Sequence, residues 1–85
     1  MNPSNGRTPD DPRELIAEVY RQILALRESG TEPTRVLMPG SQFRQLQWYR
    51  WFLGESRAAV PDYLGEFELF SLPIYTSDID KVTVE

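Results

Sequence analysis

Neither cysteine nor histidine occurs in the 85 residues, and lysine occurs once, at Lys81. The lack of cysteine removes disulfides, thiolate metal sites and thiol nucleophiles together, and suits a reducing cytoplasm. The lack of histidine removes the commonest general base near neutral pH and the commonest metal ligand. What remains for chemistry is carboxylates, hydroxyls and one amine, so no catalytic residue, metal site or cofactor is assigned and the chain reads as non-enzymatic. Long apolar runs are missing too. No stretch approaches the roughly 18 consecutive apolar residues of a membrane span, and residues 1–12 lack the basic-then-apolar pattern of a leader. The expectation is a soluble protein of the cytoplasm with no membrane partner.

A chain of this length has room for one core. A domain so small buries only about 60% of its unfolded surface, and self-association or a partner can add to its stability. The formal net charge is −4, unevenly spread. Residues 1–57 hold eight arginines against seven carboxylates, whereas residues 58–85 hold Lys81 against Asp62, Glu66, Glu68, Asp78, Asp80 and Glu85. The acidic final third repels a phosphate backbone, which argues against direct nucleic-acid binding.

Residues 1–11 have no periodic apolar signal and read as a flexible tail, with 12–85 as a single domain. Asp11, Pro12 and Glu14 form an N-cap, a first-turn proline and a capping-box-like partner. Leu15, Ile16, Val19, Tyr20, Ile23, Leu24 and Leu26 then recur at helical spacing, and Ser29-Gly30 closes the helix. After Pro33, residues 34–38 form a short β-prone run stopped by Pro39-Gly40. Ser41 can cap a second helix over 42–55. Beyond Tyr63 the period becomes two, with Phe67 and Leu69 facing inward and Glu66 and Glu68 outward. Leu72–Thr76 is a further strand, which its Pro73 assigns to an edge or a first position. Residues 77–80 are a turn and 82–84 a last strand. The expected fold is α+β, two helices on a small, mostly antiparallel sheet in the order α-β-α-β-β-β.

The second helix carries both tryptophans. At about 100° per residue, Phe43, Leu46, Tyr49 and Leu53 gather on one side, and Trp48, Trp51 and Phe52 on nearly the other. Such a helix is either sandwiched between two layers or offers an aromatic face to a partner. In the second case Arg44, Trp48, Trp51 and Phe52 are the candidate partner-binding residues, since Trp and Arg are enriched in binding hot spots. These aromatics, interleaved with Arg44, Arg50 and Arg57, could also stack single-stranded bases while the arginines neutralise phosphates, but the acidity of the chain opposes that.

Glu66 and Glu68 are the other candidate partner-binding residues. Regularly spaced carboxylates can occupy a basic groove built for nucleic acid, as in an inhibitor of the anti-CRISPR type. Asp78 and Asp80 have the spacing that opens a calcium loop, but the glycine bend and further ligands are missing, so a solvated turn is expected.

The run Pro33-Thr34-Arg35-Val36-Leu37-Met38-Pro39, a helix with Phe43 and Leu46, and Leu69-Phe70-Ser71-Leu72-Pro73-Ile74-Tyr75-Thr76-Ser77-Asp78 together resemble a segment of tailed-phage major capsid proteins and of short phage proteins. The resemblance covers about half the chain, departs from the pattern at Ser71, where glycine is usual, and leaves no room for the arms that join capsid subunits. It implies a phage or prophage origin and carries over no functional residue. The resulting expectation is a small acidic protein-binding module that occupies a surface of a host or virion protein. The alternatives are a nucleic-acid mimic and a minor virion or assembly component, and a homo-oligomer is possible in each case.

Overall fold

A computed structural model describes residues 11–56 and 59–85. Apart from Asp11, the expected tail lies outside these residues, as does Arg57. The elements are α1 (Pro12–Glu28), β1 (Val36–Met38), α2 (Gly40–Glu55), β2 (Glu68–Leu69), β3 (Leu72–Thr76) and β4 (Thr83–Val84), an α+β arrangement in the expected order.

The first helix begins and ends on local chemistry. The Asp11 carboxylate accepts the Arg13 N–H at 2.9 Å and is gripped by the Arg13 guanidinium at 2.9 and 3.2 Å. These bonds hold its carboxyl below the usual Asp range. At the other end Gly30 takes φ 89°, and the N–H groups of Gly30 and Thr31 return to the carbonyls of Arg27 and Leu26. That pair of bonds is a Schellman closure, which needs a left-handed residue at this point. Leu15, Ile16, Val19 and Ile23 are buried, while Tyr20 and Leu24 are exposed, so the buried stripe is narrower than the apolar spacing suggests.

The sheet order is β2-β3-β1-β4. Both outer pairings are antiparallel, but the central pair, β1 with β3, is parallel, with Val36 opposite Ile74 and Met38 opposite Thr76. The sheet is therefore mixed, with α2 and β2 in the crossover between its two central strands. β3 is internal, not an edge. Pro73 is tolerated there because Ile74 N–H points to the Phe67 carbonyl on the β2 side. Alternation aims the Pro73 nitrogen the other way, before β1 pairing begins at Val36.

Two further expectations are corrected. α2 starts at Gly40, with Pro39 as an N-cap that has no side-chain bond; Ser41 lies inside the first turn instead of capping it. The Pro39 carbonyl accepts from Gln42 and Phe43, so the proline that ends β1 also opens α2. Phe67 is 61% exposed instead of sharing the core with Leu69, because the strand begins only at Glu68 and alternation does not extend back to it. Phe67 instead stacks on Phe43, ring centroids 6.3 Å apart. The core is closed by Val36, Met38, Leu46, Leu64, Leu69, Val82 and Val84 against α1.

Candidate protein-docking face

The two faces of α2 have different fates. Leu46 is buried, and Phe43, Tyr49 and Leu53 pack against the core. The opposite side is not sandwiched: Trp48 is 56% exposed, Trp51 59% and Phe52 43%. Trp48 and Phe52, one turn apart, stack with centroids 5.3 Å apart and planes 14° from parallel. Half-exposed tryptophans on a helix already anchored by its other face are apolar area that folding has not used.

Arg44 sits one turn before Trp48 and is exposed. With Pro12, Ser41, Gln45 and Trp48 it lines a shallow depression at the amino-terminal end of the face. The side-chain oxygens of Gln42 and Gln45 are buried without a hydrogen-bond partner among the described residues. The other flank is fixed: the Gln47 amide donates to the Glu66 carbonyl, and Arg50 Nε donates to the Leu64 carbonyl at 3.3 Å.

Of the six candidate residues, Arg44, Trp48, Trp51 and Phe52 thus share one helix face, while Glu66 and Glu68 lie on the 66–69 segment beside it. Both glutamates are exposed, and neither side chain has an ion pair among the described residues. Glu66 precedes β2, so the two are not a regular pair on one strand face. Glu85 is tied to Arg35 through its guanidinium, with Nε at 2.9 Å, and is less available than the others. No group of three or more metal-ligating side chains forms among the described residues. No described helix is long and apolar enough to cross a membrane.

Two features are invisible to pattern reading. Phe70 lies between Tyr20 (5.4 Å) and Tyr63 (5.0 Å, planes 12° apart), forming a second aromatic cluster on the α1 side. Gln22, on the polar side of α1 by periodicity, reaches the outer edge of β4. Its amide donates to the Val82 carbonyl at 3.1 Å and to Glu18 at 2.9 Å, and accepts the Val84 N–H at 2.8 Å. Nothing in the local pattern signals either one. No family model, curated protein or solved structure matches the chain.

Proposed function

We propose that the chain is a non-enzymatic protein-binding module that docks on a protein partner through the outer face of α2. The observation that carries this reading is the uncovered Trp48–Trp51–Phe52 surface on a helix whose other side is committed to the core. Trp48 and Trp51 are the anchors, Phe52 stiffens Trp48 by stacking, and Arg44 supplies a charged rim. More than half of each tryptophan lies outside the packed core, which leaves that area for recognition. The phage resemblance makes a host or virion protein met in the host cytoplasm the partner this reading favours. A minor virion or assembly component would use the same face against another virion subunit.

The test is capture from a host lysate with the wild-type chain and with Trp48→Ala/Trp51→Ala, followed by titration of the purified captured protein. The double variant is expected to keep its circular dichroism and lose affinity by at least about 100-fold, as two central hot-spot residues imply. Binding unaffected by the double substitution refutes the proposal. A second reading, nucleic-acid mimicry, is favoured by the exposed and unpaired Glu66 and Glu68. It requires affinity that falls steeply with salt and with Glu66→Gln/Glu68→Gln, where an apolar face responds little.

A further inference from the structure

We propose that the first occupant of the α2 face is the same face of a second copy, the two helices running antiparallel about a two-fold axis between Tyr49 and Arg50. The inference rests on the docking reading above and names the partner.

Arg44, Trp48, Trp51 and Glu55 follow one another by four, three and four residues, and all four are exposed. That spacing sets the four side chains in one line, or seam, along the helix, the arrangement through which two helices can pack side by side. The order of the seam is self-complementary. In an antiparallel pair, residues equally far from the axis meet, so Trp48 faces the second copy's Trp51 and Arg44 faces the second copy's Glu55, each contact occurring twice by symmetry. A parallel pair would set Arg44 against Arg44 and Glu55 against Glu55, which like charge disfavours.

The charges at the two ends of the seam are otherwise unused. Arg13, Arg21, Arg27 and Arg35 each have a carboxylate partner, and Arg50 has the Leu64 carbonyl. Arg44 is the described arginine whose side chain has no acceptor among the described residues, and Glu55 has no cation there. Glu55 is also the last residue of α2, where the exposed carbonyls disfavour an anion. An antiparallel copy brings a guanidinium to that end.

The size of the face sets the strength. Three aromatic side chains, each exposing about 100 Å², give roughly 300 Å² of apolar area per copy. With the flanking polar side chains this stays below the ~800 Å² per partner of a standard interface, so the dimer is weak and concentration-dependent. Such a dimer shields the tryptophans at high concentration and yields to a tighter partner.

The experiment is sedimentation equilibrium of the full chain from about 10 μM to about 1 mM, the range in which a weak interface is populated. The wild type is expected to pass from monomer to dimer. Arg44→Glu alone and Glu55→Arg alone should each weaken dimerisation at least about tenfold, with circular dichroism showing that both fold. Their equimolar mixture should restore it, because every carboxylate end then faces a guanidinium end. A wild type that stays monomeric throughout, or a dimer whose charge variants are not rescued by mixing, overturns the inference. So does a monomer in which deletion of residues 1–10 raises quencher access to the tryptophans, since the tail is then the occupant. If the chain is monomeric yet Trp48→Ala/Trp51→Ala abolishes partner capture, self-pairing falls and the docking face stands. If mixing rescues the dimer but capture ignores the tryptophans, this inference stands and the docking reading falls.

Discussion

Gln22 shows how one side chain can close a sheet. An edge strand presents unpaired N–H and C=O groups that invite another strand, and at β4 the Gln22 amide supplies both an acceptor for Val84 N–H and a donor for the Val82 carbonyl. Glu18 uses the remaining amide proton and is itself held by Arg21 at 2.6 Å. Gln22→Leu should therefore destabilise the fold by about 2 kcal/mol, because part-buried backbone groups lose their partner, as urea unfolding would measure. The same network sets a pH dependence. The Gln22 and then the Arg21 hydrogen bonds favour the charged carboxylate and hold the Glu18 carboxyl below its ordinary value of 4.5. A carboxyl lowered in the folded state contributes stability above its unfolded value and loses it as pH falls through the folded one. The stability difference between wild type and Glu18→Gln should thus be full at neutral pH and shrink once pH drops below 4.5. A difference unchanged down to the acid transition would contradict the network.

At the scale of elements, the β2–β3 hairpin stands out. Phe70 (φ 53°) and Ser71 (φ 67°) join Leu69 to Leu72, and two successive positive φ values mark the type I′ turn that otherwise selects Asn-Gly. A left-handed non-glycine residue costs roughly 1–2 kcal/mol. Phe70 offsets that through its contacts with Tyr20 and Tyr63; the Ser71 hydroxyl makes no hydrogen bond among the described residues. Ser71→Gly should accordingly raise stability by about 1 kcal/mol, visible as a later denaturation midpoint, whereas Phe70→Gly should lower it. This turn also marks the limit of what the sequence disclosed. The bounds of α1 were legible because Asp11, Pro12, Ser29 and Gly30 act within a turn of where they stand. The inward line of α2 was legible from Phe43, Leu46, Tyr49 and Leu53, but the period alone left open whether Trp48 and Trp51 were covered. The parallel pairing of β1 with β3 was not legible, since strands of two to five residues carry too little pattern to fix a distant neighbour. Phe70 hid the hairpin because a large apolar residue reads as strand.

For the whole molecule, the distribution of apolar area separates what folds the chain from what it shows to others. The fully buried set, Leu15, Val19, Val36, Met38 and Leu69, draws on α1, β1 and β2, and Leu46 of α2 belongs to the same core cluster. Leu46→Ala should cost about 3 kcal/mol, the usual effect of emptying a packed site, and a domain of this size has little to spare. Trp48→Lys/Trp51→Lys removes more apolar area, but more than half of it is exposed, so its unfolding free energy should stay within about 0.5 kcal/mol of wild type, as surface substitutions do. The same pair should raise solubility and abolish self-association, since exposed aromatic patches drive both. Paired urea titrations of the two variants decide the matter. If the lysine pair unfolds as readily as Leu46→Ala, the aromatic face is part of the core after all, and neither docking nor self-pairing has a surface on which to act.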